Sequence, residues 1–301
     1  MRKDTISLFV FFIAACIVFT PCQAKSKAKH VILIGLDGWG SYSVPKADIP
    51  NIKQLMANGS HTLEKRSALP SSSAINWASM FMGAGPELHG YTEWGSKTPE
   101  LPSRILNKHG IFPTIFQLLR EARPKAEIGC LYEWNGIKYL VDTLALNHYA
   151  QAPNYKEYPE ALCNMAETYI KEKQPTLLAV CFDNPDHIGH QKGHDTPEYY
   201  AKLKELDMYI GRIIRAVEEA GILKETIFII TADHGGINKG HGGKTMQEMQ
   251  TPFIISGKNV KKGMEFHESM MQYDVASTIA YIFGLQQPQV WIGRPMTQVF
   301  K

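Results

Sequence analysis

The chain has 301 residues, of which 44% are hydrophobic, and it carries 32 Lys and Arg against 29 Asp and Glu. A chain of this length buries a sizeable core, and the balanced composition excludes the disordered and fibrous classes. The formal net charge of +3 is too small, and the basic residues are too scattered, for a nucleic-acid-binding surface.

The N-terminus has the pattern of a secretory signal peptide at residues 1–24. Arg2 and Lys3 precede an apolar run over residues 6–19, and Cys22-Gln23-Ala24 offers a small-residue cleavage site. The run is short for a permanent membrane span, so no such span is expected. An uncleaved anchor and a lipoprotein anchor at Cys16 are the alternatives. We favour cleavage after Ala24 and export to the periplasm or the extracellular space.

Cleavage would leave three cysteines, Cys130, Cys163 and Cys181, in a chain large enough to fold without disulfides. Cys130 and Cys181 lie in apolar runs and are predicted to be buried. One disulfide among the three remains open at this point.

Apolar runs typical of strands alternate along the chain with amphipathic stretches typical of helices. This alternation predicts an α/β fold, a three-layer sandwich around a mostly parallel central sheet. Without an internal repeat or a linker, residues 25–301 are predicted to form a single catalytic domain. In chain order the predicted elements are strand 30–36, helix 49–56, helix 73–82, helix 114–121, strand 127–132, helix 159–173, strand 176–182, helix 196–220, strand 226–230, strand 252–256 and helix 274–283.

Acidic residues follow three of the predicted strands. Asp37 follows the first, Asp183 and Asp186 follow the strand at 176–182, and Asp233 follows the strand at 226–230. An Asp directly after a strand is most often a turn or cap residue. Ligands, however, collect beyond the carboxyl ends of parallel strands, and three acidic turns at one sheet edge suit two metal ions.

The Gly-rich segment 231–243 adds imidazoles to this edge, because His234 and His241 lie within nine residues of Asp233. Asp and His supply the O and N ligands that zinc prefers, and glycines let the turn fold tightly. His190 follows Asp186 by four residues and would share a helical face with it. Each of these histidines taken alone is also consistent with a polar surface residue.

Residues 70–80 supply a nucleophile. Ser73 opens the helix predicted after Pro70, where a hydroxyl can attack a phosphorus while backbone donors hold an anionic group. Asn76 follows one turn later and would present its amide to the same phosphoryl oxygens. Ser71 and Ser72 are interpreted as capping residues.

Taken together and in order, these motifs resemble those of the alkaline phosphatase superfamily, and most closely those of type I phosphodiesterases and nucleotide pyrophosphatases. The resemblance covers nearly all of the mature chain. The motifs are Leu36-Asp37-Gly38, Pro-Ser-x-Ser-x-x-Asn at residues 70–76, Pro185-Asp186-x-x-Gly189-His190, Asp233-His234-Gly235 and His241-Gly242.

The resemblance implies an alkaline-phosphatase-like fold and two divalent metal ions, zinc ahead of manganese. One ion would lower the pKa of the Ser73 hydroxyl, the other would stabilise the departing oxygen, and Ser73 would carry the phosphoryl group before water releases it. Asn76 would help to hold the nonbridging oxygens. The implied ligands are Asp186, His190 and His241 for one ion, and Asp37, Asp233, His234 and the Ser73 oxygen for the other.

The sequence departs from the diesterase pattern at the nucleophile. The diesterases usually carry Thr followed by a Pro-Asn-His run, whereas this chain has Ser73 and Ile75-Asn76-Trp77. We predict an exported phosphoester hydrolase for a small-molecule phosphoester or nucleotide, as a phosphodiesterase or nucleotide pyrophosphatase first and a phosphomonoesterase second. The alternative of another class is a non-catalytic surface binding protein on a hydrolase scaffold.

Several neighbours of these motifs have two interpretations. Trp77, Trp94 and Trp134 are predicted to pack in the core, and stacking against a base or an aryl leaving group is the alternative. His187 and His194 flank His190, where they either orient a metal ligand or lie in a solvated loop. The oligomeric state is left open.

Overall fold

The computed structural model describes residues 26–301. The predicted signal segment and Cys16 lie outside the described residues. No helix within residues 26–301 combines the length and the apolar character needed to cross a bilayer. Within the same range, Cys130, Cys163 and Cys181 are buried free thiols.

One eight-stranded sheet organises the described residues. The strands are β1 (His30–Leu36), β2 (Gly59–Arg66), β3 (Ile128–Tyr132), β4 (His148–Gln151), β5 (Leu177–Phe182), β6 (Thr226–Thr231), β7 (Gln250–Gly257) and β8 (Met264–Glu265). Their spatial order is β4-β3-β5-β1-β6-β7-β2-β8. The first five strands of this order are parallel, β7 runs antiparallel to both of its neighbours, and β8 is parallel to β2.

Helices cover both faces of the sheet. They are α1 (Pro50–Ala57), α2 (Ser73–Met82), α3 (Pro86–His89), α4 (Ile115–Ala122), α5 (Ala161–Lys173), α6 (Asp186–Lys192), α7 (Pro197–Glu219), α8 (Met246–Met249) and α9 (Asp274–Phe283). Helices α2, α4 and α9 contribute to one apolar core, and α1, α5 and α7 contribute to the core on the opposite face. The predicted α/β architecture with a mostly parallel central sheet is therefore confirmed.

The central strands are buried because both sheet faces are covered. Every residue of β5 and β6 is buried, which explains their nearly continuous apolar sequences. Gly35 of β1 pairs with Cys181 of β5 on one side and with Thr231 of β6 on the other. The carboxyl ends of the three strands therefore lie at the same level, which aligns the turns that follow them.

The elements that sequence patterns missed are short or polar. Strand β2 has the sequence GSHTLEKR, which lacks an apolar run or a regular alternation, yet it pairs with β7 and buries Lys65 completely. Strands β4 and β8 and helices α3 and α8 span four residues or fewer. The predicted helices are present, with α5 beginning at Ala161 two residues later than predicted.

Candidate active site

The turns after β1, β5 and β6 bring the predicted acidic residues to one edge of the sheet. Asp37 directly follows β1, Asp186 is the first residue of α6 after β5, and Asp233 lies two residues beyond β6. All three residues are buried, with 8% or less of their surface exposed. Their burial sets the electrostatics of the whole site, because a buried charge needs a partner.

We call Asp37, Asp233 and His234 the inner cluster. His234 Nε2 lies 3.3 Å from Asp37 Oδ1 and 3.3 Å from Asp233 Oδ2. The other carboxylate oxygens are held by the protein, because Trp77 Nε1 donates to Asp37 Oδ2 and the Gly38 amide donates to Asp233 Oδ1. One oxygen of each carboxylate is thus fixed, and the second converges on the imidazole.

We call Asp186, His190 and His241 the outer cluster. Asp186 Oδ2 lies 3.1 Å from His190 Nε2 and 3.7 Å from His241 Nε2, and the two Nε2 atoms are 3.2 Å apart. The remaining ring nitrogens bond to backbone carbonyls, His190 Nδ1 to Lys239 and His241 Nδ1 to Ser71. The Nε2 atoms therefore face the shared carboxylate from fixed rings.

The two clusters are contiguous. The His234 and His241 rings stack with centroids 3.8 Å apart. Asp186 also brings a carboxylate oxygen within 4.8 Å of ligand atoms of Asp37 and His234, whereas the sequence resemblance assigned Asp186 to the outer group only. The Gly-rich segment thus places one imidazole in each cluster.

The donor atoms fit divalent cations. Two buried carboxylate oxygens of the inner cluster, Asp37 Oδ1 and Asp233 Oδ2, have no hydrogen-bond partner. Leaving such acceptors unsatisfied is costly, and a cation among them removes that cost. Carboxylate oxygens mixed with imidazole nitrogens form a ligand set that zinc accepts.

Burial and mutual repulsion raise the pKa values of the inner carboxyls. Burial, followed by the charges of Asp233 and Asp186, raises the pKa of Asp37 well above its usual range. Burial and the Asp186 charge raise the pKa of Asp233 to about 7. Burial also lowers the pKa of His234. Without a cation, the inner cluster therefore favours protonated carboxyls beside a neutral imidazole.

In the outer cluster the pKa shifts favour an ionised carboxylate beside a protonated imidazole, the reverse of the inner cluster. A hydrogen bond that the His190 ring donates to Asp186 raises the pKa of His190 to about 9. Although burial acts to raise it, the adjacent imidazoles of His190 and His194 hold the pKa of Asp186 below its usual range. Burial and the charge of His234 lower the pKa of His241 to about 4. An Asp186–His190 ion pair is therefore the favoured metal-free state.

Ser73 is the first residue of α2 and is 8% exposed. Its Oγ lies 3.1 Å from His234 Nε2. The Nδ1 atom of His234 lies 2.7 Å from the carbonyl oxygen of Gly235, which makes Nδ1 the donor and leaves the Nε2 lone pair facing Ser73. The Ser73 hydroxyl thus lies beside His234 Nε2, on which the unbonded oxygens of Asp37 and Asp233 also converge.

Asn76 does not have the side-chain position that the sequence predicted. Its side chain is completely buried and its Nδ2 donates to the carbonyls of Ala68, Pro70 and Ser72. Its Oδ1 accepts from the Ala68 amide. With its amide engaged in this way, Asn76 holds the loop that presents Ser73, and the prediction that it contacts phosphoryl oxygens is corrected.

A cleft of about 210 Å³ opens over Ser73 and the outer cluster. Trp94 and Trp134 line it, and Trp94 is 67% exposed, so the prediction that Trp94 packs in the core is wrong. Trp77 is buried, as predicted, but it also orients Asp37 through its indole N–H. Tyr155, Lys156, Asp183 and His187 complete the cleft wall. A larger cavity of about 680 Å³, beside β4 and α5, contains none of the predicted site residues.

His194 contacts the site, although its sequence position left a solvated loop as an alternative. Its side chain is 0% exposed and its Nε2 lies 3.4 Å from Asp186 Oδ1. The solvated-loop interpretation is therefore wrong for His194. In the sequence, only its spacing of four residues from His190 indicated that His194 could contact the site. Such a spacing does not distinguish a buried from an exposed imidazole.

Curated relatives match parts of the chain at low identity. The GPI ethanolamine phosphate transferase 2 of Aspergillus oryzae is 26% identical over 117 residues, covering 34% of this chain and 14% of the relative. Ectonucleotide pyrophosphatase/phosphodiesterase family member 5 of Homo sapiens is 21% identical over 236 residues, covering 76% and 49%. The bis(5'-adenosyl)-triphosphatase of Mus musculus is 24% identical over 225 residues, covering 71% and 48%. The chain thus spans about half, or less, of the length of these relatives.

Solved structures support the fold. Murine ectonucleotide pyrophosphatase/phosphodiesterase 5, in an inactive form in complex with AMP, superposes with a TM-score of 0.74 at 14% identity, covering 91% of this chain and all of that one. A 2-O GAG sulfatase superposes with a TM-score of 0.72 at 15% identity, covering 91% and 74%.

The profile of the family described as "Type I phosphodiesterase / nucleotide pyrophosphatase" matches residues 31–117 and 123–247. These two segments make up more than half of the chain and contain every predicted site residue. The resemblance inferred from the sequence motifs is confirmed, and the chain belongs to the type I phosphodiesterase / nucleotide pyrophosphatase family.

Proposed function

We propose that this chain is an exported two-metal phosphoester hydrolase that acts on phosphodiesters or nucleotide pyrophosphates through a phosphorylated Ser73. Family membership supports a phosphoester hydrolase. The observation that carries the proposal is the position of Ser73 Oγ, 3.1 Å from His234 Nε2, beside buried carboxylate oxygens that have no hydrogen-bond partner. Export is proposed from the signal-peptide pattern of residues 1–24.

The proposed ligands divide between the clusters. Asp37, Asp233 and His234 would hold one ion together with Ser73 Oγ, and Asp186, His190 and His241 would hold the other. Divalent ions, zinc ahead of manganese, would supply Lewis acidity at the phosphoryl group and lower the pKa of the serine hydroxyl.

The chain's own residues account for the covalent chemistry. Ser73 Oγ forms a bond to phosphorus as the bond to the leaving alcohol or phosphate breaks, and the hydroxyl proton passes to water in the open cleft. The leaving oxygen takes a proton from solvent, and a water molecule then cleaves the Ser73–phosphorus bond. Ser73 lies at the N-terminal end of α2, and the helix dipole there stabilises the negative charge of the phosphoryl group throughout these steps.

The cleft wall favours a diester over a monoester. Trp94 and Trp134 flank the approach to Ser73 and offer apolar surface to a second ester group. The murine structural neighbour is in complex with AMP, a nucleotide. A monoesterase is the second candidate, because Ser73 stands where diesterase relatives usually carry Thr.

The test compares rates on bis-aryl and mono-aryl phosphate for the zinc-reconstituted wild type, Ser73→Ala and Ser72→Ala. Ser72 is the matched control, since it is the adjacent buried serine and its side chain makes no cap hydrogen bond. We expect the bis-aryl rate to exceed the mono-aryl rate, and Ser73→Ala to lower turnover by roughly 10³-fold or more while Ser72→Ala stays near wild type.

Absence of turnover on both substrates, or wild-type turnover by Ser73→Ala, would contradict the proposal. A wild-type protein that holds less than about one ion per chain after reconstitution would instead favour the non-catalytic binding protein.

A further inference from the structure

His194 is buried next to the outer cluster in a slot that two glycines create. Gly189 lies in α6 and Gly236 lies in the Gly-rich segment, and a Cβ atom on either would overlap the His194 ring. Neither glycine has a positive φ, so space for the ring, and not backbone conformation, favours glycine here. The Tyr199 ring closes the slot, with its centroid 5.5 Å from that of His194.

The ring connects the elements that carry the proposed ligands. Gly189 lies between Asp186 and His190 on α6. On the other side, the His194 amide donates to the Asn238 carbonyl at 2.6 Å, and Nδ1 lies 3.2 Å from the same oxygen. Asn238 belongs to the segment between His234 and His241, so His194 ties α6 to the segment that serves both clusters.

The two oxygens of Asp186 face different partners. Oδ2 faces His190 and His241, whereas Oδ1 faces His194 Nε2 at 3.4 Å. Neither Oδ1 nor this Nε2 forms a hydrogen bond within the described residues, so each is an unsatisfied buried atom that faces the other. Both nitrogens of the His194 ring face oxygens. The Asn238 oxygen already accepts the His194 amide at 2.6 Å, whereas Asp186 Oδ1 has no donor, which favours the ring proton on Nε2.

The inner cluster follows the same arrangement. Trp77 holds one oxygen of Asp37, and the amides of Gly38 and His234 hold one oxygen of Asp233. In both cases the second oxygen is left free. His194 Nε2 occupies the corresponding position beside Asp186 Oδ1.

We propose that His194 is a positioning residue that donates Nε2–H to Asp186 Oδ1 and thereby directs Oδ2 toward the ion of the outer cluster. This inference rests on the proposed two-metal function. Donors that hold a ligand in this way typically contribute 10- to 100-fold to metal affinity. His194 acts on the outer ion through Asp186 and does not itself contact the phosphoester.

The test measures the affinity of each site for Zn²⁺ by chelator competition in His194→Phe and His194→Gln. Phe fills the slot without a donor, whereas Gln offers a donor amide at about the reach of Nε2. We expect His194→Phe to weaken the outer site by roughly 10- to 100-fold and to leave the inner site unchanged, and His194→Gln to restore part of the loss. A merely structural role would lower the melting temperature without this selectivity.

A second measurement needs no variant. Long-range ¹H–¹⁵N spectra of the zinc-loaded wild type must show a proton on Nε2 of His194. Wild-type affinity at both sites in His194→Phe, or a His194 Nε2 without a proton, overturns the inference while the proposed function stands. If the wild type itself binds fewer than two ions, the proposed two-metal function is wrong, and the inference about His194 is wrong with it. Should His194→Phe not fold, the wild-type spectrum decides alone.

Discussion

The inner cluster exposes no more than 4% of any of its side chains, whereas His190 of the outer cluster exposes 47%. Both clusters combine carboxylates with imidazoles, yet they compensate charge differently when no cation is bound. Burial leaves the inner cluster dependent on protons, with the pKa of Asp233 raised to about 7. The partly exposed His190 instead remains a cation, with its pKa raised to about 9, and forms an ion pair with Asp186.

Solvent access, and not the type of side chain, therefore distinguishes the two halves of the site. A buried acid without a cation avoids charge by taking up a proton, because desolvation penalises the ionised form. An acid beside a solvated imidazole keeps its charge, because the partner stays ionised. Removing one proposed ligand should therefore lower metal content and turnover more in the inner cluster than in the outer one.

The largest effect is expected for Asp37→Ala and Asp233→Ala. Each removes an acceptor from the buried cluster that also contacts Ser73, so the inner ion is lost and turnover falls by roughly 10³-fold or more. Metal analysis after dialysis and rates on bis-aryl phosphate measure the two effects. Asp48→Asn is the control, since Asp48 is an exposed acid paired with Lys204.

A smaller effect is expected for His241→Ala. It removes one imidazole from the outer cluster and leaves the inner ligands in place, so metal content should fall from roughly two ions per chain to roughly one. His267→Ala is the control, because that imidazole is 69% exposed and lies against Glu64. If metal content stayed the same in His241→Ala, Asp37→Ala and Asp233→Ala, the ligand assignment would be wrong.

The smallest effect is expected at Glu133, a buried carboxyl outside both clusters. A test at Glu133 isolates the effect of burial on a pKa from the effect of metal binding. Glu133 Oε2 accepts from the Asp183 amide at 2.7 Å, and burial raises the pKa of Glu133 to about 8. Because the folded state holds this proton more tightly than the unfolded state, the contribution of Glu133 to the free energy of unfolding falls as pH rises from about 4.5 to about 8.

Glu133→Gln should remove that slope. We expect the free energy of unfolding of the variant, measured in urea with zinc present, to change less between pH 5 and pH 8 than that of the wild type, by on the order of a few kcal/mol. At pH 8 the melting temperature of Glu133→Gln should also be higher relative to that of the wild type than it is at pH 5. An unchanged slope would show that Glu133 stays ionised in the folded protein, in which case burial alone does not raise its pKa.

Much of the site was predictable because it follows from chain order in a parallel sheet. Asp37, Asp186 and Asp233 each follow an apolar strand, and parallel neighbours end at one edge, so their convergence needed no coordinates. The start of α2 at Ser73 was predictable for a similar reason, since local polar residues and Pro70 mark a helix N-terminus. Strand β2 was missed because its alternation is irregular and its pairing with β7 is long-range.

Sequence patterns alone therefore predict the alternation of strands and helices, the strand ends that carry acidic residues, and the family, because these depend on local apolar runs and on ordered motifs. The positions of individual side chains, in contrast, follow from the folded chain. Asn76 is bound by three carbonyls of the preceding loop, Trp94 lies exposed on the cleft, and His194 is buried beside Asp186. Burial depends on contacts distant in the chain. Hydrogen bonds only four to eight residues apart, such as those of Asn76, depend on how the loop folds, which an apolar pattern does not encode.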